Sequence, residues 1–231
     1  MKGLLFDWDG TLINSEPWLL RIWQKTLEPL GRQLDEQTFH PLIGLVARDI
    51  ARTLFPEDPS ATTDFILRRR LEVYEEFYRH AAPYPDAADC LAGLHHLRYR
   101  MAVMTSNSAS RIQTRLQQFG WGGYFQAVIG EGMVTEAKPS PQIVLAAARA
   151  LGLLPEDCYV VGDAQWDVVA GNRAGATTIL VCREEERLKE LLPFDPRYHV
   201  RDLREILNLV PSSQETPSGP RGEGRGERKR A

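Results

Sequence analysis

Cysteine is scarce in this 231-residue sequence, and the three present, Cys90, Cys158 and Cys182, are odd in number. Cys158 and Cys182 lie in or beside apolar runs. That excludes a disulfide framework and fits buried free thiols in a reducing compartment. No apolar run reaches the ~20 residues needed to cross a bilayer. No apolar segment with a cleavage site stands at the start, so the expectation is a soluble cytoplasmic protein. Charge of one sign is also lacking: 28 Lys and Arg face 31 Asp and Glu, a net charge of −3. A polyanion-binding surface is therefore not expected, and neither nucleic acid nor a membrane is an expected partner. There is no internal repeat. Apolar residues do make up 43%, enough to build a core.

The first of those apolar runs, Gly3-Leu4-Leu5-Phe6, reads as a buried strand that breaks at Gly10-Thr11. From Ser15 to about Ala82 only helical patterns follow, at 14–31, 45–55 and 63–80, with Ser15 as N-cap of the first and Pro17 in its first turn. Pro83-Tyr84-Pro85 closes this block. Strands then alternate with helices: strands at 101–104, 127–129, 159–161, 177–181 and 198–200, helices at 87–99, 110–119, 141–151, 166–174, 188–192 and 203–210. Such alternation predicts an α/β fold with a Rossmann-like, doubly wound parallel sheet covered on both faces. The expected organisation is a core of 1–14 and 83–210, a small α-helical insert at 15–82, and a disordered tail at 211–231 rich in Ser, Pro, Gly and charge.

Asp7-Trp8-Asp9 follows the first strand directly. A lone Asp-x-Asp serves most often as a turn or helix cap. Two carboxylates at a buried strand end, however, repel unless a cation or a proton separates them. The pair implies a metal, a shared proton, or both. Three more polar clusters fall at sites that a parallel sheet brings to the same crevice: Thr105-Ser106-Asn107, Lys138-Pro139, and Asp163 with Asp167. Each has work to do on a phosphate ester. Lys138 offers a point positive charge, and Thr105 with the N–H groups of Ser106 and Asn107 can hold phosphoryl oxygens. Carboxylates suit a hard cation such as Mg²⁺. One acid can attack phosphorus, and the other can protonate the leaving oxygen and then activate water.

Four motifs in this order, Asp7-x-Asp9-Gly10-Thr11, Thr105, Lys138-Pro139 and Gly162-Asp163-x-x-x-Asp167, resemble the haloacid dehalogenase-like hydrolases with a small helical cap. The resemblance covers about residues 1–210. Ala170-Gly171-Asn172-Arg173-Ala174-Gly175 is similar to the phosphoglycolate phosphatase-like subgroup. The resemblance implies Asp7 as nucleophile and Mg²⁺ ligand, and Asp9 as general acid/base whose backbone carbonyl also binds the metal. It implies that Thr105 and Lys138 bind the phosphoryl group, that Asp163 is a further metal ligand, and that Asp167 acts behind the metal or through water. The insert becomes a mobile cap that closes over a small phosphorylated metabolite. A monomer or weak homodimer is expected.

Departures from the family pattern sharpen this reading. Ala164 stands where many relatives carry Ser, and Leu19 where sugar-phosphate mutases of the group often carry His. The first removes a hydroxyl near the metal site, and the second lowers a phosphomutase reading. Asp9 argues against halide displacement, which has no leaving oxygen to protonate. In the cap, Arg48 is a candidate for facing an anionic leaving group, with a surface arginine as the alternative. Arg68-Arg69-Arg70 reads as a solvated helix face, Trp18 and Trp23 as cap core, and His95-His96 as no metal site. The rivals are a phosphomutase and a non-catalytic binding protein on the same fold.

Overall fold

A computed structural model describes residues 2–57 and 60–211 of the chain. Apart from Pro211, the expected tail lies outside the described residues.

Strand β1 (Gly3–Phe6) is the centre of a six-stranded sheet in the order β5-β4-β1-β6-β7-β8, where β4 is Arg100–Met104, β5 Ala127–Ile129, β6 Cys158–Gly162, β7 Thr177–Val181 and β8 Tyr198–Val200. Every pairing in it is parallel. The chain winds outward from β1 to β4 and β5, then crosses back to β6 on the other side. The reversal therefore falls at β1, where a crevice opens at the carboxyl ends of the strands.

Alternation along each strand divides the core into two layers. Leu4 and Phe6, Met101 and Val103, and Tyr159 and Val161 pack on one face, with Leu91, Ile112 and Ile206 from helices α5 (Ala87–His96), α6 (Ala109–Gln118) and α10 (Ile206–Leu209). Leu5, Ala102, Met104, Cys158 and Val160 face the other layer, against α7 (Gln142–Ala150) and α8 (Gln165–Ala174). Helix α9 (Glu185–Leu191) and Leu180 form a smaller cluster at the edge. All three cysteines are buried and free. Among the described residues, no helix is long and apolar enough to cross a membrane.

Between β2 (Ile13–Asn14) and β3 (Ala82–Pro83) the chain is helical: α1 (Glu16–Leu27), α2 (Glu36–Phe39), α3 (Ala47–Leu54) and α4 (Ser60–Tyr78). This is the inserted helical cap. The antiparallel β2–β3 pair at its base was not expected, since two residues per strand are too few to show a period. Helix α1 ends earlier than the pattern predicts, because the Glu28-Pro29-Leu30 turn tightens into a 3₁₀ turn and Gly31 takes a left-handed conformation. Ser15 does stand at its N-cap position, yet its hydroxyl makes no capping bond. The cap has its own apolar cluster of Trp23, Leu27, Phe39, Leu42, Ile43, Ile50 and Ile66. Trp18 instead packs half-buried against the sheet-side cluster.

The core reaches into that cap cluster with two residues, the buried Ala164 and the partly buried Trp166. The Ala164 methyl lies against Gly44, where any side chain would crowd it. The Ser expected from relatives is thus replaced by a small apolar contact between cap and core. Ser106 Oγ donates to Gly44 O (2.6 Å), and Trp166 Nε1 donates to Pro41 O (3.3 Å), so the 41–44 loop is docked on the core by polar bonds as well.

Candidate active site

Register places the acidic residues at one level. Phe6 pairs with Val103 on one side and Val161 on the other, so Asp7, Thr105 and Asp163 all lie just past the ends of adjacent strands. Asp7 N–H donates to Val161 O (2.8 Å) and Thr105 N–H to Ile129 O (2.9 Å), which fixes both where ladder pairing ends. Lys138 arrives from the loop before α7, across a cis Lys138–Pro139 peptide. Arg173 from α8 donates to Pro139 O (3.0 Å) and holds that loop.

Oxygens of Asp7, Asp163 and Asp167 all lie within 4.8 Å of one another, and all three residues are buried. Lys138 Nζ donates to Asp7 Oδ1 and to Asp167 Oδ1, both at 2.6 Å, with its own side chain fully buried. Burial pushes the Asp7 carboxyl well above the usual carboxylate range, Lys138 pulls it back, and Asp167 and Asp163 push it up again. Burial likewise carries Asp163 up to about 7, against the pull of Arg187. Burial works against the Lys138 charge, but Asp167 and Asp7 outweigh it and hold its pKa above the ordinary lysine value. Three carboxylates against one ammonium leave an excess of negative charge inside the protein. Asp163 Oδ2 makes no hydrogen bond, while Oδ1 accepts from Thr11 Oγ1 (2.9 Å). Arg187 Nη2 approaches Oδ2 only to 3.6 Å. An unsatisfied buried oxygen beside two more carboxylates is a donor set that fits a divalent hard cation. Asp167 has both oxygens engaged, Oδ2 accepting from Ala164 N–H (3.2 Å).

Gly10 stands over this cluster with φ of +82°, and a side chain there would run into the Asp163 carboxylate. Gly10→Ala combines left-handed strain with displacement of that carboxylate. It is expected to cost about 1–3 kcal/mol in urea unfolding, and an unchanged midpoint would contradict this placement of Asp163.

Asp9 points away from the cluster, toward the cap. Tyr78 O–H donates to Asp9 Oδ1 (2.5 Å), and Trp8 Nε1–H donates to the same phenol oxygen (3.0 Å). Asn107 Nδ2–H donates to Asp9 Oδ2 (3.3 Å) and also to Tyr74 Oη. Burial, then the Asp9 charge, pushes the Tyr78 phenol well above its ordinary pKa, so it remains a donor. Thus the second acid is gripped between a cap helix and the end of β4. The Asn107 N–H, expected to be free for a phosphoryl oxygen, instead donates to Thr105 Oγ1 (3.0 Å), because the chain turns sharply there.

A cavity of about 50 Å³ lies over Asp7 and Asp9 between core and cap. Thr105, Ser106 and Asn107 line it from the core, and Leu19, Trp23 and Arg70 from the cap. Arg48 does not line it. It is exposed, 3.9 Å from Asp64 in an ion pair, and borders a separate cavity that touches Thr105 and Lys138 from the other side. Arg70 is the correction to the solvated reading of the arginine run. Arg68 is exposed as expected and Arg69 and Arg70 are half-buried, but Arg70 lines the cavity with its guanidinium on Trp23 and Tyr74. Tyr74, Tyr78, Arg70 and Arg187 were all missed. The signal for the first three was present: Ile66, Arg70, Tyr74 and Tyr78 recur every four residues and so share one face of α4.

A profile of the haloacid dehalogenase-like hydrolases matches residues 4–181. The chain is 25% identical over 220 residues to the pyrophosphatase PpaX of Halalkalibacterium halodurans, covering 91% of this chain and 97% of that one. It is 29% identical over 198 residues to the phosphoglycolate phosphatase of Aquifex aeolicus, covering 84% and 90%. The crystal structure of a hydrolase from Pseudomonas syringae superposes with a TM-score of 0.79 at 23% identity, covering 90% of this chain and 97% of that one, and so shares the fold. The family profile spans most of the chain, from the first strand to β7, and includes every acid of the buried cluster: this protein belongs to the haloacid dehalogenase-like hydrolases.

Proposed function

We propose that the protein is a Mg²⁺-dependent phosphatase that hydrolyses a small phosphomonoester through an aspartyl-phosphate. The observation that carries this reading is the buried trio Asp7, Asp163 and Asp167 with Lys138 bridging two of them. Phosphatase activity in the named relatives supports it.

In this reading Asp7 attacks phosphorus, since its carboxylate faces the cavity and the Lys138 ammonium orients one oxygen. The bond to the leaving oxygen breaks as the Asp7–phosphorus bond forms. Asp9 protonates the leaving oxygen, then takes the proton of the water that cleaves the acyl-phosphate. Tyr78 and Asn107 hold Asp9 in place until then. Thr105, the Ser106 N–H and Lys138 receive the phosphoryl oxygens. Asp7, Asp163 and the Asp9 carbonyl would hold the metal, and Asp167 anchors Lys138. Bound Mg²⁺ supplies positive charge that neutralises the acids and the phosphoryl oxygens. The segment 15–82 acts as a cap that shuts out bulk water. Leu19, an apolar residue at the cavity wall, gives no support to a mutase. An intact set of acids and lysine counts against a binding protein.

p-Nitrophenyl phosphate turnover tests this, with and without Mg²⁺. Metal-dependent release of nitrophenol is expected, together with a rise in Tm of several degrees when Mg²⁺ is saturating, since a ligand at ~100 times its Kd stabilises by about 2.7 kcal/mol. Asp163→Asn should lose the Tm rise. Well-folded protein with neither turnover nor a Mg²⁺-dependent Tm would contradict the proposal.

A further inference from the structure

Arg70 has no ion-pair partner among the described residues. Its neighbours in sequence and space have carboxylate partners: Arg69 pairs with Glu72 (2.8 Å) through Nη1, although its Nε makes no hydrogen bond, and Arg111 pairs with Glu75 (3.4 Å). Arg70 Nε is buried and without a hydrogen-bond partner. Among the described residues no carboxylate lies within ion-pair distance of it, and Asp9 and Glu131 act on it only from farther away. Its guanidinium instead stacks between Tyr74 (5.0 Å to the ring centre) and Trp23 (5.6 Å). Burial draws its pKa below the usual arginine value, yet arginine does not give up its proton in a protein. A desolvated cation without a counter-ion is costly unless an anion completes it.

The guanidinium lines the same cavity as Asp7, Asp9 and Thr105. Apart from Glu16, whose carboxylate is engaged by Arg187 (2.9 Å) and His40 (3.3 Å), the remaining cap lining is largely apolar, with Leu19, Trp23, Leu42, Ile43 and Ile50. Such walls offer no partners to a row of hydroxyls. The space is also small. We propose that Arg70 reads a second anionic group on the leaving half of the substrate, so the substrate class is a short phosphomonoester whose leaving group ends in a carboxylate or phosphoryl group and bears few hydroxyls. The planar fork of the guanidinium matches either group. This rests on the phosphatase reading for what is cleaved, but not for what is bound.

The test is a binding titration on the Asp7→Asn protein with Mg²⁺, which requires no turnover. Three ligands are compared: carboxymethyl phosphate, ethylene glycol bisphosphate, and isobutyl phosphate as the neutral isostere of the first. At least one charged ligand should bind about 10- to 100-fold more tightly than the neutral one, the scale of a hydrogen bond to a charged group, and the two charged arms tell carboxylate from phosphoryl. Arg70→Met should bring that ratio close to one, and Arg70→Lys should keep part of it. Equal affinities for all three ligands with Arg70 present would overturn the inference, as would an undiminished ratio in Arg70→Met. p-Nitrophenyl phosphate turnover by the unsubstituted protein reports on the phosphatase reading separately.

Discussion

Asp7→Asn is expected to lower turnover of any phosphomonoester by more than about 10⁴-fold, the scale on which a nucleophile working with its neighbours is lost, and to leave the fold intact. The amide has the shape of the carboxylate but cannot form the acyl-phosphate. Its oxygen can still accept from Lys138, and Lys138 keeps Asp167 as its charged partner. Removing one of three crowded acids also relieves repulsion that burial makes severe. The stability change should therefore stay within about 1 kcal/mol, as for substitutions that leave packing untouched. Circular dichroism and a thermal melt check the fold, and a coupled phosphate assay checks the rate. A variant that unfolds would mean that Asp7 is structural.

Lys138→Met acts on both stability and rate. The side chain is fully buried and bridges Asp7 and Asp167, so a methionine of similar length fills the space and leaves both carboxylates without their ammonium. Breaking a buried pair by removing one partner typically costs about 3–5 kcal/mol, and urea unfolding in metal-free buffer should show a loss of that size. Part of it should return with Mg²⁺, which supplies positive charge to the same acids. Turnover should fall by at least about 10²-fold, as for loss of one preorganised donor to the developing charge. A midpoint equal to that of the unsubstituted protein would show that Lys138 is not the counter-charge its geometry makes it.

The sheet was legible because its strands are short continuous apolar runs, each ended by Gly or a polar cluster. The Ala127–Ile129, Thr177–Val181 and Tyr198–Val200 strands match the sequence pattern at both ends. The acids of the crevice were legible too, because a parallel sheet fixes where strand ends meet. The cap was less so. Helix α2 has four residues and no measurable period, and its N-cap, Asp35 accepting from Thr38 N–H (2.8 Å), lay in a stretch without a strong apolar pattern. Arg70 was missed for a different reason: a run of three like charges looks solvated, but a helix turns each of them to a different side. Only the four-residue spacing through Ile66, Tyr74 and Tyr78 shows which one faces inward. For Arg48 the structure favours the surface alternative, since sequence position alone does not say which cavity a side chain borders.

Rapid acid quench of the enzyme during turnover, followed by proteolysis and mass spectrometry, tests most directly whether Asp7 carries the phosphoryl group. The account predicts one added phosphoryl group on the peptide that contains Asp7, appearing within a single turnover, decaying as product forms, and absent from Asp7→Asn. A phosphoryl group on any other residue, or full-rate turnover with no adduct on that peptide, would contradict it.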